Sequence, residues 1–287
     1  MKVLLAGATG YLGSYIAKAM LSKQMDFKAI ARNPQKLIAM GIPAEQIIEA
    51  QLTDRNSLKG ICSGFHAVIS TVGITRQKDG LSYMDVDYQA NKNLLDEALE
   101  SKVQQFVYVS VLNGEALQHL QICAAKERFV KALKASGMPY SIVRPSGFFS
   151  DMTEFYEMAK KGRAFLFGDG QVKVNPIHGA DLALVCIDAL KEQNTSIDVG
   201  GPEVLTHQAI AEAAFNSLDR KAKITYVPNW LRKVVLRGAA LFLSKAQFGP
   251  IEFFLHVMVM DMYAPAYGQH TIRGYFNELK RTENTAK

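Results

Sequence analysis

Residues 2–22 of this 287-residue chain decide the fold, and they read KVLLAGATGYLGSYIAKAMLS. A short apolar run ends at Ala6, a glycine-rich turn follows, and residues 11–22 have the apolar spacing of an amphipathic helix. The turn contains three glycines at intervals of three residues: Gly7, Gly10 and Gly13. Glycines allow positive φ, close approach of backbone N–H groups to an anion, and tight packing of a helix on a strand. The stretch therefore predicts a strand, an anion-binding turn and a helix.

The same alternation continues through the first half of the chain. Short β-rich runs bounded by turn residues alternate with helix-patterned segments as far as residue 145. Strands separated by helices are typical of a parallel sheet covered on both faces. We therefore predict an α/β fold, a doubly wound parallel sheet of the Rossmann type. It is expected over residues 1–150, with residues 177–200 returning to the sheet and a smaller, mostly helical lobe on the substrate side over residues 151–287.

Composition excludes several classes of protein. The chain is 48% hydrophobic and 21% charged, as folded soluble proteins are, which argues against disorder and collagen-like repeats. Its three cysteines are far apart and no histidine stands at ligand spacing, so we expect reduced thiols and no metal site. The apolar runs near the C-terminus are shorter than the ~20 residues that a membrane span requires. We expect a cytoplasmic protein with no integral membrane segment.

The charge balance points to an anionic ligand. The chain has 33 Lys and Arg against 27 Asp and Glu, a net charge of +6. In the sequence the basic residues are scattered and form no run with interleaved aromatic residues, so we expect no nucleic-acid partner. A cofactor that carries phosphate explains the surplus more simply.

The end of the second predicted strand indicates which cofactor this is. In Rossmann proteins that bind NAD, an acidic residue at this place binds the ribose 2′-hydroxyl. Here residues 27–31 are followed by Arg32, and no acidic residue stands there. A guanidinium matches a 2′-phosphate in charge and in geometry. The sequence therefore favours NADPH over NADH, with a solvated surface arginine as the alternative.

Two further stretches fit a cofactor groove. Asp54 follows the third predicted strand and is placed to contact the adenine, and Val72 and Gly73 follow the fourth, where small residues let the backbone lie against the adenosine. Each stretch is equally well explained as an ordinary N-cap or turn. The residues predicted so far to bind the cofactor are Gly7, Thr9, Gly10, Tyr11, Leu12, Gly13, Arg32, Asp54, Val72 and Gly73.

Further motifs follow in an order known from one superfamily. They are YQAN at residues 88–91, FVYVS at 106–110, YSIVRP at 140–145, NPIH at 175–178 and VGGP at 199–202. With the glycine turn and Arg32, they resemble the atypical branch of the short-chain dehydrogenase/reductase superfamily, which includes NmrA-like, isoflavone-reductase-like and divinyl-reductase-like proteins. The resemblance covers residues 1 to about 205. It implies a NAD(P)-binding Rossmann domain, with substrate bound between that domain and a variable C-terminal lobe.

The resemblance also implies catalytic residues. The usual pair is Tyr-x-x-x-Lys, in which the Lys lowers the pKa of the Tyr and holds the nicotinamide ribose. Lys126 matches the Lys, but Ile122 stands in the Tyr position. In isoflavone-reductase-like members a Lys at this spacing is the general acid or base. Lys126 is therefore implied either to transfer a proton, with desolvation beside a cationic nicotinamide bringing its pKa toward neutrality, or only to hold the ribose.

Ser110 ends the fifth predicted strand, at the edge where open α/β sheets bind ligands, and is placed to hydrogen-bond a substrate carbonyl. Two dense apolar segments follow near the C-terminus, at residues 230–245 and 253–262. They predict the core of the second lobe, a pocket for a bulky apolar substrate, or a basic amphipathic helix in peripheral contact with a membrane.

We expect an NADPH-dependent oxidoreductase that acts on a bulky, apolar small molecule. Because Ile122 replaces the usual Tyr, a non-catalytic NADP(H)-binding regulator or assembly factor stays open as a second function. A sugar-nucleotide epimerase or dehydratase is a third, which the same Ile122 weakens. The sequence also leaves a homo-oligomer open.

Overall fold

The structure is a computed structural model, and it describes residues 1–74 and 80–285. Its internal contacts divide the chain into two units. The first consists of Met1–Arg144 and Leu182–Ile197, and the second of Pro145–Asp181 and Asp198–Lys287. None of the helices in the described ranges is long and apolar enough to cross a membrane.

The strands are numbered in chain order. They are β1 (Val3–Ala6), β2 (Phe27–Ala31), β3 (Ile47–Glu49), β4 (Ala67–Ser70), β5 (Gln105–Val109), β6 (Tyr140–Pro145), β7 (Ala164–Phe167), β8 (Lys173–Val174), β9 (Thr195–Val199), β10 (Leu205–Thr206) and β11 (Ile224–Val227). Seven of them form one sheet in the order β3-β2-β1-β4-β5-β6-β9. The neighbouring strands from β3 to β6 in this order all pair in parallel.

The helices are α1 (Tyr11–Ser22), α2 (Pro34–Ile38), α3 (Asn91–Glu100), α4 (Gln121–Ala135), α5 (Phe149–Lys160), α6 (Gly179–Asp188), α7 (His207–Ser217), α8 (Asn229–Phe242), α9 (Lys245–Val257) and α10 (Ile272–Thr285). A π-helical segment, Met84–Ala90, leads directly into α3. This rare geometry is often found at functional sites.

The sheet confirms the predicted doubly wound α/β fold. Every residue of β1, β4 and β5 is buried, as expected for strands covered on both faces. A core on one face of the sheet includes Phe106 and Tyr108 of β5, packed against Phe129 of α4. The chain reverses its direction across the sheet between β1 and β4, which are neighbours, and open α/β sheets bind ligands at such a point.

The second unit is mostly helical, which confirms that part of the predicted fold class. Helices α5, α7 and α10 pack together, and α8 packs on α9. Two short strand pairs accompany them, parallel β7–β11 and antiparallel β8–β10.

His207, the first residue of α7, predicts acid sensitivity of this unit. Burial lowers the pKa of His207 to about 4, although Asp261 opposes the shift. In an unfolded chain a histidine has a pKa of about 6.5. Between pH 6.5 and 4 only the unfolded state therefore takes up this proton, so we expect the free energy of unfolding to fall by about 3 kcal/mol as the pH drops through this window.

Urea unfolding at pH 7, 5.5 and 4.5 measures this slope. The variant His207→Leu removes the titrating group and should flatten it, whereas His66→Gln, at an exposed histidine, should leave it as it is. An equal slope in His207→Leu and in the unchanged protein would contradict the assignment.

Candidate functional site

The glycine turn lies at the carboxyl end of β1, and its geometry requires glycine. Gly7 has φ of +83°, and a Cβ there would lie 2.5 Å from Thr71 Oγ1. A Cβ at Gly13 would overlap the Gly7 carbonyl oxygen and lie 2.7 Å from its carbon. The first turn of α1 is thus packed directly on the backbone of the loop that precedes it.

The N-terminus of α1 is suited to an anion. Gly10 is the N-cap residue and donates its N–H to the Gly7 carbonyl at 3.0 Å. No side chain caps this end and the first turn has no acidic residue, so the positive end of the helix dipole is not compensated there. Thr9 and Gly10 are exposed, whereas Leu12 is buried and anchors the helix. The arrangement fits a phosphate group bound by backbone N–H groups.

Arg32 and Asp54 follow neighbouring strands at the same edge of the sheet. Arg32 is exposed directly after β2, and the ion pairs found within the described residues do not include it. Asp54 accepts the Asn56 N–H at 2.9 Å and is the N-cap of a short 3₁₀ helix. Of the two interpretations left open for Asp54, the structure shows the N-cap, and its contact with adenine stays a prediction.

The segment after β4 is fixed by Asn91. The Asn91 side chain accepts a hydrogen bond from Ser70 Oγ at 2.6 Å and donates one to the Val72 carbonyl at 3.1 Å. Gly73 comes next, and a Cβ there would lie 2.6 Å from Asp87 Oδ1 and 2.8 Å from Lys126 Nζ. The backbone at Gly73 therefore lies directly against these two charged side chains.

Lys126 and Asp87 form an ion pair, with Lys126 Nζ 3.0 Å from Asp87 Oδ1. Asp87 belongs to the π-helical segment, and its side chain is fully buried. Its other oxygen accepts the Ile74 N–H at 3.2 Å. Lys126 Nζ also lies 5.7 Å from the ring centroid of Tyr108. Lys126 was among the residues predicted from the sequence, and Asp87 was not.

The ion pair sets the charge of Lys126. Burial disfavours the ammonium, but Tyr108 and Asp87 outweigh burial and raise the pKa of Lys126 above its ordinary value. Burial also raises the pKa of the Asp87 carboxyl, although Lys126 and the Ile74 N–H oppose that rise. In this ion pair the pKa of Lys126 is therefore shifted away from neutrality, and the lowering expected beside a cationic nicotinamide stays a prediction. Lys126 is a held ammonium, which can donate a proton or a hydrogen bond.

The other predicted catalytic residue, Ser110, takes part in a buried network. Its hydroxyl donates to Glu127 Oε1 at 3.0 Å. The Glu127 carboxylate receives two hydrogen bonds from the Arg144 guanidinium, at 2.6 and 2.9 Å. A bond from Ser110 to a substrate carbonyl therefore requires its bond to Glu127 to break. Ile122 is buried at the start of α4 and offers no proton.

A parallel sheet, a glycine turn at its switch point and a buried lysine against Gly73, which follows β4, are the features of a NAD(P)-binding Rossmann protein of the atypical short-chain dehydrogenase/reductase superfamily. Within that class, the chain belongs to the NAD(P)H-binding family, whose model matches residues 7–193.

Similar proteins include reductases and an assembly factor. The chloroplastic divinyl chlorophyllide a 8-vinyl-reductase of Oryza sativa subsp. indica is 27% identical over 319 residues, covering 97% of this chain and 78% of that protein. The photosystem II assembly factor Ycf39 of Cyanophora paradoxa is 29% identical over 156 residues, covering 54% of this chain and 48% of that protein. The NADPH-dependent quinone oxidoreductase QOR2 of Escherichia coli, solved with NADPH, has the same fold, with a TM-score of 0.75, 16% identity, and coverage of 97% and 99% of the two chains.

Proposed function

We propose that this protein is an NADPH-dependent reductase of a bulky, apolar small molecule. The observation that carries the proposal is the Lys126–Asp87 ion pair against Gly73, at the sheet edge that also bears the glycine turn. A buried charge pair in a ligand-binding position is costly to maintain, and perturbed pKa values of this kind are concentrated at functional sites.

Different residues at the carboxyl edge of the sheet would bind different parts of the cofactor. The glycine turn and the start of α1, with Thr9, Tyr11 and Leu12, would hold the pyrophosphate through the backbone. Arg32 would hold the 2′-phosphate, Asp54 the adenine, and Val72 and Gly73 the adenosine. The uncapped, acid-free start of α1 fits such an anion. When bound, the cofactor supplies a hydride.

Lys126 would act on the ribose and on the substrate. Its ammonium can donate hydrogen bonds to ribose hydroxyls, and it can give a proton from Nζ to the atom of the substrate that gains negative charge. Asp87 would be a positioning residue, because its fully buried carboxylate fixes Nζ and favours the protonated lysine.

The names of similar proteins support the substrate class. One relative reduces a vinyl group of a chlorophyllide by its name, and a protein of the same fold is a quinone oxidoreductase. Both substrates are conjugated and largely apolar. Single-turnover oxidation of bound NADPH by a panel of enones and quinones tests the proposal. Bound NADPH that no member of the panel oxidises would count against it.

The alternative is an NADP(H)-binding regulator or assembly factor. Ile122 in place of the usual Tyr favours it, and so does the similarity to an assembly factor over about half of the chain. Tight NADPH binding without turnover, together with a partner protein retained on the immobilised chain, would favour this alternative over the reductase. An epimerase that needs the missing Tyr is less well supported.

The choice of cofactor depends on Arg32. A charge-assisted hydrogen bond is worth about 1.5–3 kcal/mol, so Arg32→Asp should weaken NADPH binding by roughly tenfold to 150-fold, to the level of NADH or below. Isothermal calorimetry with both cofactors measures this. Lys134→Asp, at an exposed lysine on α4, makes the same charge change elsewhere and should leave the preference intact. An unchanged preference in Arg32→Asp would remove Arg32 from the site.

A further inference from the structure

Helix α8 exposes large apolar side chains and buries a charged one, which is the reverse of an ordinary amphipathic helix. Its buried residue is Arg232, which donates to the Leu255 carbonyl at 3.1 Å. Its large apolar side chains point outward instead, and Leu241 and Phe242 are 80% and 87% exposed. The other exposed apolar residues of α8 are Trp230, Leu231, Val234 and Val235.

These apolar residues lie on one face. At 100° per residue they occupy about 140° of the helix circumference, a stripe wide enough to bury against another surface. Lys233 and Arg237, both exposed, lie along one border of that stripe. The helix has 14 residues and is therefore about 21 Å long. Contiguous exposed apolar patches on a protein surface are typical of interaction sites.

The positive charge of the protein is concentrated around this helix. Residues 220–251 contain seven Lys or Arg and no Asp or Glu, whereas the rest of the chain has 26 Lys or Arg and 27 Asp or Glu. The surplus of positive charge, for which a phosphate-bearing cofactor was the simplest explanation from the sequence, therefore lies in this segment.

We propose that the apolar face of α8 docks on an anionic lipid bilayer, with the helix lying in the plane of the interface. An exposed apolar stripe bordered by Lys and Arg, with no acidic residue nearby in the chain, is the pattern of interfacial helices. The apolar side chains enter the headgroup region and the basic side chains meet anionic headgroups. This docking is independent of the proposed reductase activity.

A bilayer fits this face better than a second copy of the chain does. In a symmetric dimer with the two α8 helices antiparallel, Lys233 and Arg237 would lie close to the same residues of the second copy. Like charges at an interface cost free energy, and nothing acidic in residues 220–251 is available to compensate them. An anionic surface satisfies the apolar and the basic side chains at once.

The protein carries its own probe, because Trp230 is its single tryptophan and is 64% exposed. With vesicles of phosphatidylcholine and 30% phosphatidylglycerol, we expect Trp230 emission to shift to the blue and to be quenched by lipids brominated in the acyl chain. Vesicles of phosphatidylcholine alone should give a smaller shift. Equal binding to both vesicle types, or no shift with either, would overturn the proposal.

Pairs of variants and controls distinguish membrane binding through this face from non-specific hydrophobic adsorption and from an effect of net charge. Leu241→Ser with Phe242→Ser should reduce co-sedimentation with anionic vesicles at least tenfold, whereas Val204→Ser, at an exposed valine outside α8, should not. Lys233→Gln with Arg237→Gln should weaken binding roughly 25-fold, at about fivefold per charge, and Lys18→Gln with Lys134→Gln should have little effect. Equal losses of binding in the variants and in their controls would overturn the proposal. A blue shift of Trp230 emission that depends on protein concentration in the absence of vesicles would also overturn it, in favour of self-association.

Discussion

Replacing Gly13 with alanine is expected to lower the free energy of unfolding by about 3 kcal/mol and to weaken cofactor binding at least about tenfold. The new methyl group would overlap the Gly7 carbonyl and lie 2.8 Å from Ala8 Cα. These are backbone atoms, so no side-chain rotation can relieve the contact. The turn must move away from α1, and the N–H groups proposed to hold the pyrophosphate move with it.

Two other glycines provide matched controls. Gly238→Ala, within α8, meets nothing within 4 Å and should stabilise slightly, because alanine is the better helix former. Gly10→Ala approaches only the Gly7 carbonyl, at 3.3 Å, and should cost less than about 1 kcal/mol. Its methyl would lie at the exposed N-cap, so it should affect NADPH affinity more than stability. Calorimetric unfolding and NADPH titration of the three variants measure both effects. Equal stability losses in Gly13→Ala and Gly10→Ala would contradict the packing argument.

The first half of the fold was predictable because its signals are local. Each element has a sequence signature of about ten residues: the glycine turn, the buried strands and the amphipathic α1. The order of these elements along the chain specifies a doubly wound sheet. The place of Arg32 directly after β2 was likewise predictable, and its contact with a 2′-phosphate stays a prediction.

The ion partner of Lys126 could not be found in this way. Asp87 precedes Lys126 by 39 residues and lies in a π-helical segment, whose geometry has no simple sequence pattern. The motif at residues 88–91 passes next to Asp87 without including it. The hydrogen bond from Ser110 to Glu127 could not be predicted for a similar reason, since Glu127 and its partner Arg144 are both distant from Ser110 in the sequence.

The direction of the apolar face of α8 could not be predicted, for a different reason. The sequence of residues 230–245 is compatible with a core, a pocket or a membrane surface, because apolar spacing shows that a stripe exists but not what it faces. The burial of Arg232 and the exposure of Phe242 fix its direction.

Substitutions of the two partners in the buried ion pair, Lys126 and Asp87, should have different effects on activity and on stability. Lys126→Met removes the proposed proton donor, so we expect NADPH oxidation to slow at least about a hundredfold. It also leaves the fully buried Asp87 without its counter-ion, which should cost about 3 kcal/mol of stability. Lys134→Met, at an exposed lysine of the same helix, should change neither quantity.

Asp87→Asn tests the positioning role through pH. Asp87 contributes to the raised pKa of Lys126, so its loss should lower that pKa and move the alkaline fall of the rate to lower pH, while Lys126 still supplies the proton. A merely structural Asp87 would change stability and leave the pH profile in place.

The double variant, Lys126→Met with Asp87→Asn, completes the cycle. With both charges gone no ion is left buried alone, so the stability loss of the double variant should be about 2 kcal/mol smaller than the sum of the two single losses. Its activity should stay as low as that of Lys126→Met, because the proton donor is still missing. Chemical unfolding and single-turnover kinetics on the four proteins measure this. Recovery of activity along with stability would show that Lys126 supports only the fold, and strict additivity of the losses would show that the two side chains are not paired.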